Sequence, residues 1–220
     1  MSNSQAATIW AIVPVKKFAL SKSRLSSVLA PDERAQVSRE FLVHTLEVLA
    51  QVPQIQATLV VSRDPAALVL ARERGARALK ESGTSNLNFA LTLAAETAIS
   101  GGAEAVLVLP TDLPLLSPDD VRELTKLQGH GLQIAIAPDR HEKGTNALFF
   151  APPGGLAFAF GADSFAQHKF LAQAFGARLR ICRLPGVALD VDGPEDWQMF
   201  QAARVSGGLQ APPGKEPGHG

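Results

Sequence analysis

The 220-residue chain has a single cysteine, Cys182, which excludes an internal disulfide and any zinc site built from cysteines. It lies in the apolar run Leu179 to Leu184, where a small buried hydrophobe is the expected role, and a reducing cytoplasm suits it. Lys plus Arg number 21, as do Asp plus Glu, so no global field is present to hold a nucleic-acid backbone. Any positive potential has to be local. No segment approaches the ~18 apolar residues of a membrane span. The first apolar stretch, Ala6 to Val15, has no basic residues before it and no small-residue cleavage site after it, so it reads as a strand and not a signal peptide. Neither a P-loop nor a G-x-G-x-x-G fingerprint occurs, and Gly161-Ala162-Asp163-Ser164-Phe165 lacks the final glycine of a serine-nucleophile elbow. The five histidines show no ligand spacing.

What is present points to an α/β protein. With 46% hydrophobic and 19% charged residues the chain is expected to form one globular domain over 8–204, with disordered tails at 1–7 and 205–220. Apolar runs at Thr8 to Pro14, Gln56 to Ser62 and Ala105 to Leu109 read as strands, as does the short stretch Arg77 to Lys80, separated by helical patterns that open at Pro31, Asp64-Pro65 and Phe89. That alternation predicts a parallel sheet with right-handed crossovers and helices on both faces. Leu132 to Ala137 and Asn146 to Phe150 are joined too closely for a crossover, so an antiparallel pair makes the sheet mixed. Phe165 to Phe175, Ala177 to Leu184 and a last helix to about Arg204 complete the core. His44 falls within the apolar pattern of the first helix and is expected to pack.

The central strand breaks at Pro110-Thr111-Asp112, which puts a carboxylate at a strand end, where ligands bind in open α/β sheets. After the first strand, the segment Lys16 to Arg24 carries Lys16, Lys17, Lys22 and Arg24 with two serines; this composition suits a polyphosphate, and equally a solvated basic loop. In Leu189-Asp190-Val191-Asp192, alternation puts Asp190 and Asp192 on one side with Cα atoms about 6–7 Å apart, close enough to share a metal ion. Asp192 also stands three residues before Glu195, the spacing of a helix start. Ser117-Pro118-Asp119-Asp120 reads as a helix cap whose acids are not ligands. Residues 81–88 offer amides and an acid that fit either a nucleobase edge or a cap, and Asp163-Ser164 sits at a helix start, ready for an anion or serving as a plain cap. Asp112, Asp190 and Asp192, hard oxygen donors beside cations, predict Mg²⁺ and a nucleotidyl-transfer layout.

As an ordered set these pieces resemble the CofC/FbiD guanylyltransferases of coenzyme F-420 biosynthesis. The set comprises Pro14-Val15-Lys16, Lys22-Ser23-Arg24-Leu25, Leu87-Asn88-x-Ala90-Leu91, Pro110-x-Asp112-Leu113-Pro114-Leu115, Asp139-Arg140 with Gly144-Thr145-Asn146, Phe160-Gly161-x-x-Ser164-Phe165-x-x-His168, and Leu189-Asp190-Val191-Asp192. The resemblance runs from about 9 to 200 and implies a nucleotidyltransferase fold related to nucleotide-diphospho-sugar transferases. It implies transfer of GMP from GTP to the phosphate of a three-carbon phospho-acid, with pyrophosphate released. Phosphoenolpyruvate is favoured, and 3-phospho-D-glycerate and 2-phospho-L-lactate are alternatives. By position, Asp112, Asp190 and Asp192 would hold Mg²⁺, Lys16, Lys22 and Arg24 would meet the phosphates, and Asp112, Lys22 and Arg24 would carry the chemistry. Thr145, Gly161 and Ser164 would hold the acceptor, Leu87 and Asn88 would lie near guanine, and Arg140 and His168 join the substrate-binding set. The sequence departs from the family at Ser21, Asn86, Gly193 and Trp197, which leaves the acid triad intact. A homodimer is compatible with this reading, with no nucleic-acid or membrane partner. A nucleotide-sugar glycosyltransferase and a non-catalytic GTP-binding domain are the competing readings.

Overall fold

The computed structural model describes residues 7–81, 86–128, 130–154 and 157–206. Apolar runs in the middle and shorter, more polar strands at the two edges pair into one seven-stranded sheet in the order β3-β2-β1-β4-β6-β5-β7. These strands are β1 (Ile9–Val15), β2 (Ile55–Ser62), β3 (Arg77–Lys80), β4 (Ala105–Val108), β5 (Gln133–Pro138), β6 (Thr145–Ala151) and β7 (Arg178–Ile181). β1 pairs in parallel with both β2 and β4, while β6 runs antiparallel to β4 and β5, so the mixed sheet predicted from the short 138–145 connection is present. The helices are α1 (Pro31–Ala50), α2 (Pro65–Glu73), α3 (Leu87–Ser100), α4 (Pro118–Leu124), α5 (Ser164–Ala174), α6 (Pro185–Ala188) and α7 (Pro194–Ser206). None is long and apolar enough to cross a membrane.

Period-two alternation divides the strand side chains between two cores. Ala11, Val13, Leu107 and Phe149 pack with α1, α2 and α4 on one face; Trp10, Ile12, Val106, Leu148 and Phe150 pack with α3 and α5 on the other. The central strands are buried on both faces, which is why they read as unbroken apolar runs. Gly101 lies where a β-carbon would collide with the Trp10 ring, so the α3–β4 turn can close against the sheet only with glycine there.

A third, smaller cluster positions the functional loops. Leu25, from a short 3-10 turn, and Val37 and Phe41 of α1 meet Leu189, Val191 and Phe200. Leu25 and Val191 are fully buried, and burying such side chains contributes about 1.5–3 kcal/mol each. The Phe41 and Phe200 rings meet edge to face with centroids 5.5 Å apart. Leu189 and Val191 therefore face inward, and the aspartates that alternate with them are left on the other side.

Several boundaries differ from the sequence reading. The basic segment after β1 contains two 3-10 turns, Phe18–Leu20 and Ser23–Ser27, and is not an irregular loop. The last strand is only Arg178–Ile181, because Pro185 starts the one-turn helix α6. Of the expected tails, Ala7 is described and Val205 and Ser206 remain helical, while 1–6 and 207–220 lie outside the described residues. So do 82–85 of the segment that fits either a nucleobase edge or a cap. Ser117 and Asp120 form the predicted capping box, which confines Asp119 and Asp120 to the start of α4.

Candidate active site

The order of the strands reverses between β1 and β4, and the segments leaving their carboxyl ends bound the crevice where α/β sheets bind ligands. The β1 segment brings Lys22, held in the left-handed backbone region at φ 53°. Its Nζ lies 3.3 Å from Asp112 Oδ2 and 3.4 Å from Asp192 Oδ1, with the lysine side chain only 8% exposed. One ammonium thus bridges a carboxylate from the middle of the chain and another from its far end. Lys16 and Arg24 are exposed and make no ion pair with a described residue, so their charge is available to a ligand.

Backbone hydrogen bonds fix the two acid-bearing segments relative to each other. Val191 N–H donates to the Asp112 carbonyl at 2.9 Å. Asn146 Nδ2 donates to Asp190 Oδ1 at 3.2 Å and to the Val187 carbonyl at 2.8 Å, linking β6 to the same segment. The Asp190 carboxyl is pushed above its ordinary range, first by burial and then by the charge of Asp112, with a further push from Asp192. The three carboxylates therefore sense one another across a single small space.

By donor chemistry this set fits a hard divalent cation. The Asp112 and Asp192 side chains are 28% and 49% exposed, so an ion has access to them. Among the described residues no group of three such side chains stands as a ready-made metal cage; Lys22 lies between two of the carboxylates instead. The lysine expected to meet phosphate is thus also the counter-charge of the acid cluster.

The helix start suspected at Asp192 is closed by a different acid. Asp196 Oδ2 accepts from Gly193 N–H at 2.7 Å and from Asp192 N–H at 3.1 Å, leaving the Asp192 carboxylate for the site. Arg140, expected among the substrate binders, is committed to this brace: its Nη1 lies 2.9 Å from Asp196 Oδ1, and its Nε donates to His141 Nε2. Asn146 and Asp196 were not singled out from the sequence. Their signals are the Gly144-Thr145-Asn146 triplet and an acid three residues after Gly193.

The other wall comes from β6, α5 and the segment before α5. β4 pairs with β6 through Val106↔Phe150 and Val108↔Leu148. β6 begins at Thr145, the residue before the Asn146 whose amide binds Asp190. Thr145 N–H donates to Ser164 Oγ at 2.9 Å, and Thr145 Oγ1 lies 2.9 Å from His168 Nδ1. Gly161 adopts φ +140°, which L side chains rarely adopt, with open space where a side chain would project. Asp163 is itself left-handed at the start of α5 and makes no side-chain cap.

Thr145 and Ser164 are buried, and two more of the expected binding side chains turn inward. His168 is fully buried; its Nε2 accepts from Ala159 N–H at 3.1 Å, and burial lowers its pKa to about 4. Asn88 lies in the first turn of α3, but its amide pairs with the backbone of Phe160 instead of pointing outward. Nδ2 donates to the Phe160 carbonyl at 3.0 Å, and Oδ1 accepts from Phe160 N–H at 2.8 Å. Leu87, beside it, is 44% exposed. His44, as expected, packs: its Nε2 lies 3.0 Å from the Leu116 carbonyl, and burial lowers its pKa.

A family model described as "Guanylyl transferase CofC like" matches residues 9–200. A relative from Rubrobacter xylanophilus, named phosphoenolpyruvate guanylyltransferase, is 43% identical over 206 residues, covering 94% of this chain and 98% of that protein. A solved nucleotidyl transferase from Methanothermobacter thermautotroptrophicus superposes with a TM-score of 0.64 at 12% identity, covering 91% of this chain and 99% of that one. A Desulfovibrio desulfuricans structure, named as a candidate nucleotide-diphospho-sugar transferase, gives 0.71 at 17% identity, covering 89% and 87%. The fold is that of the nucleotidyltransferases, and the chain belongs to the CofC-like guanylyl transferase family.

Proposed function

We propose that this enzyme transfers GMP from GTP to the phosphate of phosphoenolpyruvate or a closely related three-carbon phospho-acid, as a step of coenzyme F-420 biosynthesis. The observation that carries the reading is the Lys22 ammonium spanning Asp112 and Asp192, with Asp190 beside them and bonded through Asn146 to β6, the strand that carries Thr145. The name of the Rubrobacter relative supports phosphoenolpyruvate over the other acids.

In the reaction an acceptor phosphate oxygen forms a bond to the α-phosphorus of GTP. The bond from that phosphorus to the oxygen bridging to the β-phosphate breaks, and pyrophosphate leaves with the electron pair. Lys16 and Arg24 neutralise the triphosphate as charge builds on the leaving group. Lys22 reaches both the acids and the reacting phosphates, and so sets the position of one against the other. Asp112, Asp190 and Asp192 are the residues that would hold Mg²⁺, which when bound withdraws charge from the α-phosphate. Thr145, Ser164 and the backbone at Gly161 orient the phospho-acid. Leu87 lies toward the base, with Asn88 acting through the Phe160 backbone that it holds.

The test is pyrophosphate release from GTP and Mg²⁺ with phosphoenolpyruvate, 3-phospho-D-glycerate and 2-phospho-L-lactate supplied separately. Release is expected with phosphoenolpyruvate, and none without an acid. Absence of pyrophosphate with all three acids refutes the reading, as does equal turnover of ATP or CTP.

A further inference from the structure

We propose that His168 is a positioning residue: a neutral imidazole, locked with its proton on Nδ1, that donates to Thr145 Oγ1 and so aims the threonine's own proton at the anionic acceptor.

Ala159 N–H can only donate, so His168 Nε2, 3.1 Å away, must be the unprotonated acceptor. The ring is completely buried, and among the described residues no carboxylate pairs with it to stabilise a second proton. Burial accordingly depresses the pKa, and the ring is neutral under ordinary conditions. A neutral ring with a bare Nε2 carries its proton on Nδ1, which lies 2.9 Å from Thr145 Oγ1. The hydroxyl therefore accepts from His168. Among the described residues it has no other partner, so its own hydrogen points elsewhere.

Ser164 is held in the same sense. Its Oγ accepts from Thr145 N–H at 2.9 Å, so its hydrogen is also left over. Two neighbouring residues, 6% and 2% exposed, thus have hydroxyls occupied as acceptors by donors inside the protein, and the one hydrogen each has left over is what it can offer a ligand that reaches this nearly closed wall. Such a pair suits a carboxylate or phosphate and rejects a ligand that presents donors of its own. The ring orientation is itself secured: Phe160 meets it edge-on at 4.9 Å between centroids, and Asn88 clamps the Phe160 backbone at both ends.

This inference rests on the proposed acceptor role of Thr145, and two measurements separate the ideas. Long-range proton–nitrogen NMR of histidine-labelled protein at pH 7, assigned with a His168→Leu variant, is expected to show His168 neutral and protonated on Nδ1. An Nε2-protonated or cationic ring overturns the proposal whatever the enzyme catalyses. The second measurement is a double-mutant cycle in turnover, with folding checked by circular dichroism. His168→Leu and Thr145→Val are each expected to raise KM for the phospho-acid about ten- to hundredfold while KM for GTP stays within about twofold. The double variant should be no worse than Thr145→Val alone, because His168 acts only through that hydroxyl. His168→Asn, which keeps a donor near the Nδ1 position, should recover most of the lost acceptor affinity, whereas His168→Gln should not. Additive single effects, or equal losses for the phospho-acid and GTP, overturn the positioning role. A wild-type protein that turns over none of the acids refutes the functional reading alone, since the NMR result still decides the state of His168.

Discussion

Replacing Lys22 by methionine keeps the length of the side chain and removes the charge that spans Asp112 and Asp192 at 3.3 and 3.4 Å. At these separations, with an effective dielectric near 20, each attraction is about 5 kcal/mol before desolvation and screening. The lysine is nearly buried, but the acids are 28% and 49% exposed, so water recovers most of that on their side. A net loss of about 1–2 kcal/mol remains, intermediate between exposed and buried ion pairs. In a domain of this size that corresponds to a Tm about 2–8 °C lower in EDTA. The deficit should shrink when Mg²⁺ is added, because a divalent cation supplies the missing charge. Restoring 1–2 kcal/mol needs the ion at about 5–30 times its Kd. Wild-type protein should respond less, since its ammonium already partly neutralises the carboxylates. On the proposed role of Lys22 at the reacting phosphates, turnover should fall by about 100-fold or more even at saturating Mg²⁺. Calorimetry or fluorimetric melting in EDTA and in Mg²⁺, beside a pyrophosphate assay, makes the comparison. A Lys22→Met protein that melts with wild type in EDTA and gains no more from Mg²⁺ refutes the counter-charge argument.

Asp190→Asn should lose turnover yet stabilise the metal-free protein at neutral pH. A raised carboxyl pKa means that the native state holds its proton longer than the unfolded chain does, so wild-type stability falls as pH rises from the unfolded pKa to the folded one, and the cost persists above. Asparagine retains the oxygen that accepts from Asn146 without the charge; denaturant melts in EDTA at pH 7 check this, and a destabilised Asp190→Asn protein contradicts it. For His168 the sign is opposite. The unfolded ring takes a proton near pH 6.5 and the folded ring only near 4, so the native state loses about 2–3 kcal/mol between them. The stability difference between wild type and His168→Leu should therefore narrow by that amount from pH 7 to 4, and a pH-independent difference would contradict a buried neutral ring.

The sheet was legible because both kinds of periodicity were present: unbroken apolar runs for strands buried on two faces, and helix starts marked at Pro31, Asp64-Pro65 and Ser117-Pro118. The carboxylates were legible because a strand end followed by aspartate, and two aspartates alternating with buried Leu189 and Val191, leave the acids nowhere to point but outward. Side-chain amides, rings and guanidinium groups were harder to read, since position along the chain does not reveal which partner satisfies them. Asn88 suggested a base reader, yet its donor and acceptor match a peptide unit and pair with Phe160. Arg140 stood in the substrate-binding set, and Asp196 engages it. His168 stood among the expected binding residues, and its buried ring instead meets Thr145.

The Val191 N–H to Asp112 carbonyl bond joins the two acidic loops through their main chains. Changing an aspartate for another residue therefore alters the charge and donor set of the pocket without releasing the hinge that holds its halves at a fixed span. A scaffold stitched in this way can be retuned toward other ions or leaving groups by exchanging side chains alone, with its backbone left undisturbed.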